Sequence, residues 1–161
     1  MHSTGNRTVW DREHRRVEHY GNAILIQPSE TLTADYILLD LDKRTLDARG
    51  NCIYVMKDVI IYGDTLHFNL DSKTGTITKG RVSNSTFTMG GDVLRKVDSA
   101  RYLISHGEFT TCRDCPQSWT FGGDEIDAEF DQYAYISNVV VRVKDAPGFI
   151  VNQVGRGFGV E

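Results

Sequence analysis

The sequence predicts an all-β protein whose long antiparallel strands, each bent at its middle, stack into an elongated β-jelly roll. Three observations predict it. Strand-favouring residues dominate, with 14 Val, 14 Thr, 11 Ile, 7 Phe, 7 Tyr and 2 Trp against only 7 Ala and 10 Leu. That bias suits a pleated, half-buried surface and works against a helical bundle. Apolar and polar residues alternate between polar turns, as a strand with one buried face requires. The alternation also recurs: Gly21-Asn22-Ala23-Ile24-Leu25 returns 29 residues later as Gly50-Asn51-Cys52-Ile53-Tyr54.

The chain opens on a charged stretch, residues 1–16, which reads as an N-terminal extension with weak helical character near Asp11 to Glu18. From residue 17 the repeats begin. The 29-residue offset carries Leu32 onto Ile61, Ala34-Asp35 onto Gly63-Asp64, Ile37 onto Leu66 and Leu39 onto Phe68. A further offset of 60 carries Val59, Ile61, Gly63-Asp64 and Leu66 onto Trp119, Phe121, Gly123-Asp124 and Ile126, with Gly91-Asp92 as a fainter echo. Each unit is a strand, a kink at a small residue plus Asp, a second strand and a turn. Leu32 and Ala34 share a face with Ile37 and Leu39, so the face changes parity at Asp35, as one extra residue in a bulge makes it do. Asp40 to Arg44 and Asp71 to Gly75 are short polar hairpin connections. The one repeat domain spans 17–147, and the Gly-rich stretch 148–161 reads as a poorly ordered tail.

These units place Ala23, Leu25, Leu32, Ala34, Ile37, Leu39, Tyr54, Ile61, Leu66, Phe68, Trp119, Phe121, Ile126 and Phe130 on the inner face. Small residues among them, with Gly63, Gly123 and Ala128, leave room inside.

Charge and motif content exclude several functions. The net charge is −4 and no basic block is long enough to follow a phosphate backbone, so nucleic-acid binding is disfavoured. No apolar run approaches the roughly 18–20 residues of a membrane-crossing helix; Gln132 to Val141, ten uncharged residues, is the longest useful stretch. The first ten residues lack the apolar core of an export signal, which leaves a cytosolic protein or a mature fragment. No nucleophile–base pair or metal-ligand spacing can be assembled, so no catalytic residue, cofactor or metal is expected. The kink carboxylates Asp35, Asp64, Asp92 and Asp124 could form a calcium ladder, but bulge carboxylates bonded to backbone amides are the commoner use. Cys112-Arg113-Asp114-Cys115 is half of a zinc ribbon and stands before Pro116 in a β pattern, which favours structural thiols or a disulfide over redox catalysis.

Gly107-Glu108-Phe109-Thr110-Thr111-Cys112, followed by Trp119-Thr120-Phe121 and Glu125-Ile126, resembles the end of the periplasmic domain of the LptD (organic solvent tolerance) family of lipopolysaccharide-assembly proteins. The Gly-Asn units with Ala34-Asp35 and Gly63-Asp64 resemble the related OstA-like repeats, over about residues 17–150. The family segment leading into a membrane barrel is reduced here to Pro147-Gly148-Phe149-Ile150. The resemblance implies a non-enzymatic periplasmic carrier, at or near the outer membrane, with an OstA-like β-jelly roll. It would take the acyl chains of lipid A, receive lipopolysaccharide from an OstA-like bridge protein paired to its N-terminal edge near Val17, and adjoin an outer-membrane barrel segment or partner. In the family the cysteine matching Cys112 pairs with one in the barrel; here Cys115 is an additional residue, and the two are disulfide candidates, expected to be free or bonded to each other. The alternative on the residues alone is a structural β-solenoid that stacks against proteins and holds no lipid.

Overall fold

The computed structural model describes residues 2–98, 100–112, 118–129, 133–143 and the backbone of 146–151. They form one antiparallel sheet of thirteen strands: β1 (His2–Thr4), β2 (Arg7–Asp11), β3 (Arg16–Gln27), β4 (Glu30–Asp40), β5 (Thr45–Met56), β6 (Val59–Asn69), β7 (Gly75–Ser83), β8 (Thr88–Lys96), β9 (Arg101–Thr110), β10 (Trp119–Glu129), β11 (Tyr133–Ser137), β12 (Val139–Val143) and β13 (Ala146–Val151). From β3 to β10 each strand pairs with its sequence neighbours, a plain meander. At one end β1 and β2 share the free edge of β3; at the other β11 and β12 share that of β10, and β13 pairs with β12. No helix occurs among the described residues.

Turn chemistry fixes the hairpins. Asp11 accepts the His14 amide, Asp40 that of Lys43, Asn69 those of Asp71 and Ser72, Asn84 those of Thr86 and Phe87, and Asp98 those of Ala100 and Arg101. Each short side chain replaces a ladder partner that the turning backbone has lost.

The sheet is folded over on itself, as one distance demonstrates. Tyr54 pairs with Ile61, and Phe68 lies seven residues further along β6. In a straight strand that separation is roughly 23 Å. The Tyr54 and Phe68 rings instead lie 6.1 Å apart. The two halves of each bent strand therefore lie on two leaves of one sheet, facing each other.

The fold line is a row of left-handed residues. Asn22, Asn51, Lys79, His106 and Asn138 have φ between 46° and 50°. Four of them meet the kink aspartate of a neighbouring strand: Asn51 Nδ2 donates to Asp35 at 2.8 Å, Lys79 pairs with Asp64 at 3.1 Å, His106 with Asp92 at 3.1 Å, and Asn138 Nδ2 donates to Asp124 at 2.6 Å. Two sequence expectations are corrected here. The extra residue in β3 and β5 is not at the aspartate but in Gly21-Asn22 and Gly50-Asn51, where the register slips, because Gly and Asn tolerate positive φ. The partners of these carboxylates are side chains rather than backbone amides.

The N-terminal extension also reads differently in three dimensions. Residues 2–11 form β1 and β2, and Asp11 to Arg16 is a turn and not a helix. These segments carry little apolar alternation because, as edge strands, they cover only the end of the roll.

Candidate functional site

Cross-strand register arranges the inward side chains in three continuous rows. On one leaf runs Leu25–Leu32–Tyr54–Ile61–Val82–Met89–Phe109–Phe121. On the other run Val17–Leu39–Leu46–Phe68–Gly75–Lys96–Tyr102–Ala128 and His19–Ile37–Ala48–Leu66–Ile77–Leu94–Ile104–Ile126. Period-2 alternation on every strand produces this, and the kink keeps the parity right on both leaves. The result is an apolar seam that crosses eight strands, roughly 34 Å at about 4.8 Å per strand spacing.

Ala23, Leu25, Leu32, Ala34, Ile37, Leu39, Ile61, Leu66, Phe68 and Ile126 are buried in this seam, as their alternation predicts. Tyr54, Trp119 and Phe121 are half-buried and inward, the last two packed edge to face. Phe130 and Cys115 lie outside the described residues. The interior contributed by β7 to β9, with Ile77, Val82, Met89, Leu94, Tyr102 and Ile104, was not picked out by the repeats; the alternation within each of those strands was the available signal.

The seam is closely filled. Its cavity, between Leu25, Leu32 and Tyr54 on one leaf and Leu46, Leu66 and Phe68 on the other, holds about 20 Å³, the room of one water. Gln27, Glu30 and Leu70 border that cavity. Tyr54 Oη donates to Glu30 at 2.5 Å, and burial together with that bond pushes the phenol up. Lys96, 7% exposed, gives an N–H to the Asp98 carbonyl and lies 5.6 Å over the Tyr102 ring; burial holds its ammonium below the usual lysine range.

At the N-terminal end the rows run out into solvent. Trp10 stands beside Val17 and Thr8 beside His19, and Trp10 is 61% exposed. His19 is buried, with Nδ1 at 2.9 Å from Thr8 Oγ1, and Nε2 has no hydrogen-bond partner; burial lowers its pKa. The docking edge expected near Val17 is thus corrected: β3 is already paired, and the free edge is that of β1 and β2.

Cys52 is a buried free thiol and Cys112 a half-buried one. No group of three metal-ligating side chains exists among the described residues.

A single antiparallel sheet, folded along a line of bulges and apolar between its leaves, is an OstA-like β-jelly roll. The solved structure of LptH, described as the LptA-homologous periplasmic component of the lipopolysaccharide transport device of Pseudomonas aeruginosa, shares this fold, with a TM-score of 0.56 at 17% identity over 60% of this chain and 76% of that one. No family model matches. Among sequences, the LPS-assembly protein LptD of Nitrosomonas europaea is 25% identical over 150 residues, covering 91% of this chain and 21% of that protein. The LptD of Sodalis glossinidius is 28% identical over 141 residues, 80% of this chain and 18% of that protein, and that of Hahella chejuensis 26% over 130, 79% and 16%. In sequence the chain is thus similar to one stretch of LPS-assembly proteins LptD, and in fold to LptH. It spans about a fifth of the length of the curated relatives it matches.

Proposed function

We propose that this domain is a periplasmic lipid carrier that receives lipopolysaccharide from a bridge protein of the same fold and passes it toward the outer membrane. It works by holding acyl chains and does no catalysis. The observation that carries the reading is the largely apolar seam that runs across eight strands between two leaves of one sheet. Acyl chains gain about 0.8 kcal/mol per buried methylene, so partial insertion gives binding that can still be released. The leaves must part to admit a chain, since the resting cavity takes one water. Because the leaves join only along the fold line, parting them breaks side-chain packing and leaves the ladder hydrogen bonds of each leaf intact.

The bridge protein would add a strand to the free edge of β1 and β2, with backbone hydrogen bonds giving affinity and the exposed Trp10 continuing the apolar row into the partner. Placing Pro at Val9, with folding checked by circular dichroism, should abolish that association; unchanged binding by a folded variant would refute the docking edge.

The close filling of the seam favours a second reading, a structural solenoid that stacks without lipid. One experiment separates the two. A photoreactive amino acid at Leu32 or Phe68 should crosslink to lipopolysaccharide, while one at the outward Ile53 should not. Equal labelling inside and outside, or none, would refute the carrier.

A further inference from the structure

The three inward rows contain one lysine, Lys96, and no described carboxylate pairs with it directly. Among the described residues no carboxylate lies within ion-pair distance of its Nζ. One N–H goes to the Asp98 carbonyl and the Tyr102 ring lies beneath the ammonium. The charged groups that act on it are Asp98 in the β8–β9 turn, Glu30 at the border of the cavity, and Lys73 in the β6–β7 turn, which adds a second positive charge. Glu30 is already engaged by the Tyr54 hydroxyl.

Lys96 stands two strands along its row from the wall of the cavity. Its neighbour in the row is Gly75, and beyond that stands Phe68, which lines the cavity. A Cβ on Gly75 would meet Phe68 Cδ2 at 2.6 Å, so no side chain can stand between the Phe68 ring and the lysine. A buried cation is costly to keep without a counter-charge. Next to an apolar seam, it is the arrangement an anionic amphiphile would satisfy: chains on Phe68, Leu66 and Leu32, headgroup on the ammonium.

We infer that Lys96, supported by Lys73, binds the phosphate group of an acylated glycolipid whose chains enter the seam beside Phe68. The inference rests on the carrier reading and specifies which part of the lipid is held where. The bound phosphate supplies in direct contact the counter-charge that Asp98 and Glu30 give only at a distance, so headgroup capture and chain insertion reinforce each other. A dephosphorylated lipid keeps the chain contacts and loses the ionic one.

The test measures equilibrium binding of the full 161-residue chain to phosphorylated lipid A and to the same lipid after removal of its phosphates, with inorganic phosphate as a competitor. The wild-type protein should prefer the phosphorylated lipid by about tenfold, the range of a charge-assisted hydrogen bond. Lys96→Gln should bind both lipids alike, at the wild-type affinity for the dephosphorylated one, and Lys96→Arg should retain the preference. Lys96→Met, which suits an apolar row better, repeats the test if the Gln variant does not fold. Millimolar inorganic phosphate should not compete, because it lacks the chains. Equal wild-type affinity for both lipids, a preference that survives Lys96→Gln or Lys96→Met, or full competition by free phosphate would each overturn the inference while leaving the carrier intact. Failure of every variant to bind either lipid would refute the carrier and the inference together.

Discussion

Gly50→Ala tests whether the fold line is held as described. Gly50 has φ +73°, and a Cβ there would overlap the Asp35 carboxylate, with Cγ only 2.9 Å away. Forcing an L-residue into the left-handed region costs about 1–2 kcal/mol. Asp35 is exposed and can swing aside, but it then gives up the 2.8 Å bond from Asn51, about 0.5–1 kcal/mol at an exposed position. The expected loss is about 1.5–3 kcal/mol, which for a chain of this size lowers the melting temperature by roughly 3–12 °C. Urea unfolding followed by tryptophan fluorescence measures it. A double-mutant cycle isolates the cause, because in an Asp35→Ala background the same substitution should cost only the backbone part, about 1–2 kcal/mol. If Gly50→Ala leaves stability unchanged, or costs the same in both backgrounds, the kink is not held by this contact.

Three further outcomes follow from buried titratable groups. The Tyr36 and Tyr102 phenols are each pushed up to about 12 by burial; the unfolded chain sheds those protons near 10, so stability should be full below pH 10 and fall between pH 10 and 12, read as urea midpoints across that range. Burial lowers the His19 pKa, so the unfolded state binds the proton more readily and stability should fall as pH drops below 6.5; His19→Leu should flatten that dependence in melts at pH 7.5 and 5.5. Burial, with Asp35 and Asp64 nearby, pushes the Cys52 thiol up to about 11, so a thiol reagent at pH 8 should reach Cys112 within minutes and Cys52 only after denaturant is added.

The long, bent strands were legible because their physics is local. Alternation over Leu32, Ala34, Ile37 and Leu39 reports both the buried face and the parity change, and the Gly-Asn pair that sits at the fold line is itself the repeat that reveals it. The edge strands were not legible. His2–Thr4 and Arg7–Asp11 bury little, so they show almost no alternation, and they are strands because β3 offers them an unpaired ladder. The kink partners are hidden for a related reason: Lys79 and His106 occupy positions where a left-handed residue is needed, yet lysine gives no signal of positive φ and histidine only a weak one, and the aspartate opposite explains them. Lys96 is hard to read as inward although the parity of Met89 to Leu94 across the kink leads directly to it, because a lysine at a strand end ordinarily faces solvent. The seam residues were legible as a face; how closely the leaves fill the space between them depends on side chains from eight strands at once.

The meander order has a consequence for length. From β3 to β10 each strand bonds only to the strands before and after it in sequence, and the turns alternate between the two open rims of the roll. A hairpin could therefore be added or deleted at the Asn84–Phe87 turn without giving any remaining strand a wrong neighbour. Each added pair would lengthen the interior by about 10 Å, as one segment is added to a conduit. The span such a domain can bridge is thus set by a count of hairpins and not by the design of a new core.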